Sequence, residues 1–589
     1  MTMSTNHLEK TSRKNFRRFI PTIGILSVLI LVATTWAGLK PLDLSQTPLV
    51  NQVSLPPANI MVLLDDSGSM TWEILVEGQS GGLFPKPAGT DQGYAFVFDN
   101  PGNNLNVNNA AWDYLFAEGR KYWKSQYHEV NALYYNPDAA YVPWPGYGEV
   151  TLADADPDTP RVHPVRYPNN TLSLDDTSFS VDIVTAPDVA GDQISIPHAH
   201  YFAFSESEDS PYLIVMDGST DELKYFRVSL DAGTGFHEKV SALTEVDPPP
   251  ADIVTGRNYA EERQNFANWF SYYRRREFIA KAALGEVLQS IDKVRVGIYG
   301  INEKVVQPLK KVKMIENGQV LDEVDTLLED LYDYVSRGGT PLNAGLHNVG
   351  QYFEANDGKL KNKTGPNPYG GIDEGGACQQ SFTVIVTDGY YTDPGSVNIG
   401  GNLDDNEDAN EPYKDWGGGE HPYADQASNS LADIAFYYYA NDLNTNLDDL
   451  LPVSQFDSAR HQHMVTFAVA LGVNGTLNPA AYSDTLHHKI TGNPIQWPTV
   501  ASGQTPETID DLWHATVNGR GRFKSARNPI QLAGSLVEFM NTIVEIAGAS
   551  SSPASVNSDW LFGNLLPDTL VYQATYSNRD DEWTGDIRA

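Results

Sequence analysis

The chain has 589 residues, enough for several domains or for one domain with large insertions, and 41% of them are apolar, which is ample for a packed core. Its formal net charge of -36 argues against binding nucleic acid or an anionic lipid surface, because both need clustered Lys and Arg. The single cysteine, Cys378, excludes an intrachain disulfide.

The N-terminus has the layout of an export signal. A basic stretch over residues 10–18 precedes an apolar run over residues 19–37, which ends in Thr35-Trp36-Ala37. Basic residues, an apolar middle and small residues at the end are typical of a secretory signal peptide, here residues 1–37. The apolar run also nears the length of a membrane span, so an uncleaved N-terminal anchor is the alternative. Both predict an exported protein, followed by a linker over residues 38–58.

The next segment predicts a buried strand that runs into a polar loop. Residues 59–64 (NIMVLL) form a continuous apolar run, which is typical of a strand covered on both faces in a parallel sheet. Asp65-Asp66-Ser67-Gly68-Ser69-Met70 follows directly. We expect residues 59–74 to form the first strand and the first loop of an α/β domain.

Residues 75–250 interrupt the α/β pattern. Short strand-like segments at 178–184, 200–204, 212–216 and 223–228 are separated by turn residues such as Asp217-Gly218. A stiff run, Asp247-Pro248-Pro249-Pro250, ends the region. We therefore predict an inserted, β-rich subdomain.

Alternating helices and strands return over residues 251–549. Apolar residues recur at helical spacing from Phe266 to Leu288, and further segments alternate between buried strands and amphipathic helices. The predicted strands are 294–300, 382–386 and 464–471, and the predicted helices are 320–335, 342–353, 431–443 and 530–546. This alternation predicts an α/β fold built on a doubly wound, mainly parallel, Rossmann-like sheet.

The last forty residues are predicted to form a linker and the start of another β domain. Residues 570–576 and 583–587 are strand-like, but two strands alone are marginal in water. We expect residues 550–589 to be the truncated opening of a β domain, so that the chain is a fragment or a shortened version of a longer protein.

Three separated segments carry the donors of a predicted metal site. Asp65-x-Ser67-x-Ser69 follows the first buried strand, Thr340 lies in a loop between two helices, and Asp388 follows another buried strand. Ligands of open α/β sheets bind beyond the carboxyl ends of the strands, so these segments can converge on one crevice.

The donor types suit a hard divalent cation. Mg²⁺ prefers octahedral oxygen ligands, keeps several waters and accepts one or two carboxylates. We expect Ser67 and Ser69 to bind directly, Thr340 directly or through water, and Asp65 and Asp388 through bound waters. Hydroxyl ligands leave the ion electrophilic, so an acidic residue of a protein partner can fill an open position. Mg²⁺ is favoured, with Mn²⁺ and Ca²⁺ as alternatives.

The pattern of Asp65, Ser67, Ser69, Thr340 and Asp388 resembles the metal-ion-dependent adhesion site (MIDAS) of von Willebrand factor A (VWA) domains. Wider motifs resemble the PilY-type type IV pilus tip adhesins and biogenesis factors. These motifs are residues 61–70, 134–137 with 143–144, 265–269 with 272–274, 387–390, 431–435 with 437–439, and 510–515 with 518–521.

The resemblance implies an N-terminal VWA region, followed in that family by a C-terminal β-propeller with an EF-hand-type calcium site. Residues 572–589 resemble the first strands of that propeller; the remainder, including the calcium loop, is not in this sequence. Implied roles are pilus assembly, surface attachment and twitching motility at the periplasm, outer membrane, cell surface or pilus tip. Implied partners are pilin or minor pilins and a host or abiotic surface.

Other constellations are weaker. Asp404-x-Asn406-x-Asp408 is similar to the start of a calcium loop, but Ala409 stands where such a loop needs glycine, so a solvated acidic loop is favoured over a second cation site. The pairs His198/His200 and His461/His463 lack a third ligand and read as surface pairs. We interpret His514 as a hydrogen-bonded core or interface residue.

The sequence offers no catalytic set. It has neither a G-x-S-x-G elbow nor an H-E-x-x-H helix, and the glycines at 417–419 lack the lysine of a phosphate loop. We therefore expect a binding protein and not an enzyme. The alternative function is a VWA-type accessory or scaffolding subunit of another exported assembly.

Overall fold

The computed structural model describes residues 56–76, 84, 93–98, 113–115, 118–167, 169–186, 189–316, 318–404, 422–453, 457, 459–479, 495–500, 503–549, 554–557, 571–579 and 582–588. The predicted signal or anchor, 1–37, and the predicted linker as far as residue 55 lie outside these ranges. Within the described residues, no helix combines the length and the apolar character that crossing a membrane requires.

Each predicted strand has an observed strand whose bounds agree with the prediction to within three residues at each end. In chain order they are β1 (Asn59–Leu64), β2 (Tyr94–Phe96), β3 (Asp113–Tyr114), β4 (Thr177–Ala186), β5 (Val189–Pro197), β6 (His200–Ser205), β7 (Ser210–Asp217), β8 (Glu222–Leu230), β9 (Val240–Glu245), β10 (Val294–Gly300), β11 (Val306–Val312), β12 (Met314–Glu316), β13 (Gln319–Leu321), β14 (Lys359–Leu360), β15 (Lys363–Thr364), β16 (Ser381–Thr387), β17 (Met464–Leu471), β18 (Arg520–Ala526), β19 (Ala554–Asn557), β20 (Val571–Arg579) and β21 (Glu582–Arg588).

The described helices include two that begin with a capping box, at Asn258 with Glu261 and at Ser430 with Asp433. The helix predicted over 320–335 begins only at Val324, because residues 319–321 form β13. The helices are α1 (Tyr259–Tyr272), α2 (Arg276–Ser290), α3 (Val324–Asp333), α4 (Leu342–Ala355), α5 (Leu431–Ala440), α6 (Glu507–Asn518) and α7 (Pro529–Ala549).

A six-stranded mixed sheet forms the centre of the α/β region, in the order β11-β10-β1-β16-β17-β18. All neighbouring strands are parallel except β11, which is antiparallel to β10. Because β1 lies between β10 and β16, Leu64 is paired with Gly300 on one side and Val386 on the other. The carboxyl ends of β1 and β16 therefore lie side by side.

Helices cover both faces of this sheet. Ile60, Val62 and Leu64 point into one apolar core, which also contains side chains of α2, α3 and α7. Met61 and Leu63 point into a second core with side chains of α4, α5 and α6. Burial on both faces is the physical reason why β1 is apolar at every position that faces a helix layer.

A second six-stranded sheet, in the order β5-β4-β9-β8-β7-β6, lies within the region predicted as a β-rich insertion. Its neighbours are antiparallel except for β4 and β9. Alternate residues of β7 enter different cores: Tyr212, Ile214 and Met216 pack with aromatic residues of α1, whereas Leu213 and Val215 pack with Trp123 on the other face. The insertion therefore has an apolar core of its own.

Helix α1 connects the insertion to the α/β region through two asparagines. The side chain of Asn265 accepts a hydrogen bond from Tyr141 N at 2.8 Å and donates to Ala139 O at 2.8 Å. The side chain of Asn268 donates to Tyr141 O at 2.9 Å and accepts from Ala155 N at 2.8 Å. The Asn265–Trp269 motif thus binds the backbone of the insertion.

The strands β19, β20 and β21 form a separate antiparallel sheet over the predicted C-terminal β segment. Strand β20 begins one residue later and ends three residues later than the predicted 570–576, and β21 extends the predicted 583–587 by one residue at each end.

Candidate metal centre

The first loop of the site folds back on its own aspartate. Strand β1 ends at Leu64, and Asp65 N donates to Val386 O at 2.8 Å, so the parallel ladder continues one residue further. The backbone N–H of Ser67 then donates to Asp65 Oδ1 at 2.9 Å. This local turn leads into a short 3₁₀ helix, Gly68–Thr71, and sets Ser67 and Ser69 beside the end of the strand.

A chain of hydrogen bonds joins this loop to the end of β16. Ser67 Oγ lies 3.0 Å from Ser69 Oγ, and Ser69 Oγ donates to Asp388 Oδ1 at 3.0 Å. Thr387 Oγ1 donates to Asp65 Oδ2 at 2.7 Å, which closes a ring of contacts between the two loops. Four of the five predicted metal residues therefore form one connected cluster.

The loop of Thr340 lies against the first loop through its backbone. Gly68 N donates to Gly338 O at 2.9 Å, and Asn302 Nδ2 donates to Gly339 O at 2.7 Å. Gly338 has φ +121°, and a Cβ there would lie 2.3 Å from Asn302 Oδ1, so only glycine fits. Thr340 is buried, and its backbone N–H donates to Thr392 Oγ1 at 3.2 Å.

Asp66 has a structural task that the motif does not reveal. Its carboxylate accepts hydrogen bonds from Asn302 N at 2.6 Å and from Lys304 N at 2.7 Å. Its carbonyl oxygen accepts from Arg337 N at 2.7 Å. Burial raises the pKa of Asp66, while these backbone donors lower it. Asp66 thus holds the loop after β10 and the Thr340 loop in place around the cluster.

Arg276, the first residue of α2, neutralises Asp388. Its Nη1 donates to Asp388 Oδ2 at 2.8 Å, and its Nη2 donates to Ile74 O at 2.9 Å. The side chains of Arg276 and Asp388 are 1% and 3% exposed. Because a buried charge is costly unless it is paired, this ion pair offsets the cost of burying the two side chains.

Among the described residues, no cation forms an ion pair with Asp65. Burial, and then the negative charge of Asp388, raises the pKa of Asp65 to about 7, although hydrogen bonds from Ser67 and Thr387 lower it. A cation beside the cluster would relieve both effects by favouring the ionised carboxylate.

The donor set fits a hard divalent ion. All candidate donors are oxygens, which Mg²⁺ and Ca²⁺ prefer. In an octahedron with ligands at about 2.1 Å, neighbouring ligand atoms lie about 3.0 Å apart. The two serine hydroxyls have that separation, 3.0 Å.

The residues of the weaker acidic loop are only partly described. Asp404 lies with Asp425 and His514 in a group whose ligand atoms are all within 4.8 Å of one another. Asn406 and Asp408 lie outside the described residues. Of the predicted second loop, the structure therefore places Asp404 alone, and it brings that residue next to two others that the loop pattern does not contain.

Two histidine interpretations are wrong. His200 is buried and is not part of a surface pair; its ring contacts Pro197 O at 2.6 Å and Gln126 Oε1 at 2.9 Å. His463 is also buried, with Nε2 2.8 Å from Asp457 Oδ2. The spacing of two histidines in the sequence does not show whether they are exposed, because that depends on which other segments pack against them.

Known proteins similar to this chain are type IV pilus factors. PilY1, the type IV pilus biogenesis factor of Pseudomonas aeruginosa strain UCBPP-PA14, is 26% identical over 95% of this chain and 44% of its own length. PilY1 of strain PAK is 28% identical over 56% of this chain and 30% of its own length. The chain is homologous to PilY1, and it spans less than half the length of these relatives.

The other comparisons add no fold or family. No model of a known protein family matches the chain. The pilus adhesin SpaC from Lactobacillus rhamnosus GG aligns with 76% of this chain and 48% of its own at 11% identity, with a TM-score of 0.23, which is too low to indicate a shared fold.

Arg276, Asp66 and Thr387 contact the cluster but do not belong to the sequence pattern that predicted it. One signal was available for Arg276: three consecutive arginines, 274–276, interrupt the apolar helical stripe of residues 266–288 in a strongly acidic chain. Arginines among buried residues need carboxylate partners. Which carboxylate each arginine contacts follows only from the fold.

Proposed function

We propose that this chain is the metal-dependent binding region of an exported type IV pilus biogenesis factor, built on a VWA-type domain. The observation that supports it most is the hydrogen-bonded cluster of Asp65, Ser67, Ser69 and Asp388 at the adjacent carboxyl ends of β1 and β16. Residues this far apart in sequence meet at the edge where open α/β sheets bind their ligands.

In this proposal the cation, Mg²⁺ before Mn²⁺ or Ca²⁺, is held by the Ser67 and Ser69 hydroxyls. Thr340 contributes directly or through water, and Asp65 and Asp388 hold coordinating waters. With Arg276 paired to Asp388, the protein brings about one uncompensated negative charge to the ion, from Asp65. A divalent ion would keep a positive charge, so it would attract an acidic residue of a protein partner. The role is binding and not catalysis.

The biological setting comes from the PilY1 relatives, which are named as type IV pilus biogenesis factors. We propose pilin or minor pilins as partners and a host or abiotic surface as a further target, with effects on attachment and twitching motility. The strands β20 and β21 would be the first strands of a C-terminal propeller.

The test removes the two hydroxyls together. We expect Ser67→Ala with Ser69→Ala to abolish Mg²⁺ and Mn²⁺ binding in calorimetry, and to reduce surface pili and attachment when the gene in the producing cell carries both changes. The matched control is Ser180→Ala with Ser195→Ala, because these serines face each other at 3.5 Å on the exposed surface of β4 and β5. The control should behave as wild type.

Two results would contradict the proposal. Unchanged Mg²⁺ affinity in the Ser67/Ser69 variant would remove the metal site. Lost affinity with normal piliation and attachment would keep the site but favour the accessory or scaffolding role in another exported assembly.

A further inference from the structure

A second group of ligand atoms lies in the α/β region, formed by Asp404, Asp425 and His514. Asp404 lies in the loop after β16, Asp425 precedes α5, and His514 lies on α6. Their ligand atoms are all within 4.8 Å of one another. The side chains of Asp404 and His514 are 0% and 1% exposed, and that of Asp425 is 5% exposed.

The hydrogen bond of the His514 ring shows which of its two nitrogens can bind a metal ion. Its Nε2 lies 2.7 Å from Tyr423 O, a carbonyl that can only accept, so Nε2 carries a proton. In the neutral ring Nδ1 therefore has a lone pair. The indole of Trp497 stacks on the ring with centroids 4.2 Å apart and planes at 13°, which fixes the orientation of the imidazole.

Nδ1 points at a carboxylate without forming a hydrogen bond to it. It lies 3.4 Å from Asp425 Oδ2, and within the described residues it has no hydrogen-bond partner although it is buried. A lone pair facing a carboxylate is repulsive, so either a proton or a metal ion must lie between them.

A fourth polar group lies at the same place. Asn518, one turn after His514 on α6, donates through Nδ2 to Asp404 Oδ2 at 2.8 Å. Its Oδ1 is buried and has no hydrogen-bond partner among the described residues. Buried polar atoms are rarely left unpaired, so this oxygen also points to a missing ligand.

Neighbouring carboxylates are already satisfied. Asp433 Oδ2 accepts from Ser430 N at 2.9 Å and Asp433 Oδ1 from Leu403 N at 2.6 Å. Asp511 accepts from Leu431 N and Ala432 N at 3.0 and 3.1 Å. Asp404 accepts from Asp425 N at 3.3 Å and from Asn518 Nδ2 at 2.8 Å, and Asp425 Oδ1 accepts from Ala427 N at 2.8 Å. Asp425 Oδ2, His514 Nδ1 and the further lone pairs of Asp404 are therefore the donors that face an additional ion.

We propose that Asp404, Asp425 and His514 bind a divalent transition-metal ion, Zn²⁺ or Mn²⁺, with Asn518 Oδ1 as a further donor. One imidazole nitrogen with carboxylate oxygens is a ligand set for such ions and not for Mg²⁺, which takes oxygens alone. The bond from Nε2 to a backbone carbonyl is the support that metal-bound histidines commonly have. The site is independent of the serine cluster, which is formed by Asp65, Ser67, Ser69 and Asp388, and of the proposed pilus function.

The test measures Zn²⁺ and Mn²⁺ binding by calorimetry in the full chain carrying Ser67→Ala and Ser69→Ala, which leaves the second site as the one under study. We expect one bound ion, and a loss of affinity of about 100-fold or more when His514→Gln is added, because even changes to residues that only support ligands cost 10–100-fold. The control is His463→Gln, since both nitrogens of His463 are already bonded, to His461 O and Asp457 Oδ2.

A second measurement covers the case in which His514→Gln fails to fold. In the chain with both serines replaced but His514 intact, Co²⁺ should give a strongly shifted NMR signal from one exchangeable imidazole proton, the Nε2–H at Tyr423 O. Equal Zn²⁺ affinity with and without His514, or a His514 ring that stays doubly protonated at saturating Zn²⁺, would overturn the proposal and leave a simple ion pair.

Discussion

Two clusters of buried polar side chains lie in the α/β region, and they hold their charge in different ways. In the serine cluster, the Arg276 guanidinium pairs with Asp388 Oδ2, and the Ser69 hydroxyl donates to Asp388 Oδ1. In the histidine cluster, formed by Asp404, Asp425 and His514, no arginine is paired with either carboxylate among the described ion pairs, and the imidazole of His514 is the basic group that faces them.

The difference shows that the type of donor atom and the protein's own cations together determine the charge and the ligands offered to a metal ion. A permanent guanidinium leaves the serine cluster with one excess charge and with oxygen donors only, which suits a hard ion. An imidazole gives up its proton near neutral pH and then becomes a ligand, which suits a transition metal. The two clusters are therefore expected to prefer different ions.

The largest effect should come from breaking the built-in ion pair. We expect Arg276→Met to lower the free energy of unfolding by about 3–5 kcal/mol without metal, because Asp388 is left as a buried unpaired charge. Urea denaturation followed by tryptophan fluorescence measures this. Added Mg²⁺ should restore part of the loss, since binding to the native state stabilises it.

The control is Arg166→Met, which removes an ion pair with Asp333 whose side chains are 36% and 55% exposed. Exposed pairs contribute about 0–1 kcal/mol, so this variant should unfold nearly as the wild type does. Equal losses in the two variants would show that Arg276 has no special role at the serine cluster.

The next effect is a pH dependence of the serine cluster. The pKa of Asp65 is raised from 3.8 to about 7 by burial and by Asp388, so between these values the native state binds more protons than the unfolded state. The metal-free chain should therefore lose stability as pH rises from about 4 to about 7. Mg²⁺ must displace that proton, so its affinity should rise by up to about tenfold per pH unit below about pH 7 and then level off.

Calorimetry in buffers of different ionisation enthalpy measures the proton released on Mg²⁺ binding. Asp65→Asn has no such proton, so any residual Mg²⁺ binding in that variant should be independent of pH over this range. Mg²⁺ binding to the wild type without proton release would contradict the assigned role of Asp65.

The smallest effect should come from Thr340, which the structure connects to the serine cluster through backbone contacts of its loop. We expect Thr340→Val to weaken Mg²⁺ binding about fivefold, the equivalent of one hydrogen bond of about 1 kcal/mol, with little change in stability because the side chains have similar shapes. A loss as large as that of the Ser67/Ser69 variant would make Thr340 an equal ligand. No loss would remove it from the site.

The local sequence was sufficient to predict the strands that helices cover on both faces. Strand β1 is apolar at every position that faces a helix layer because both of its faces are covered, and its bounds, Asn59–Leu64, were predicted correctly. The predicted and observed bounds of β10 and β17 also agree. The D-x-S-x-S turn could also be predicted from the local sequence, because Asp65 and Ser67, which form a hydrogen bond, are only two residues apart.

Contacts between distant segments were decided by the tertiary structure alone. The partner of Arg276 lies 112 residues away, and the Asn302 backbone that Asp66 accepts from lies 236 residues away. Asp404 and Asn518 meet across 114 residues. A buried charged side chain needs a partner of opposite charge, and the sequence alone predicts that need. The chain has many carboxylates that could be this partner. Only the packing of helices on the two faces of the sheet determines which carboxylate it contacts.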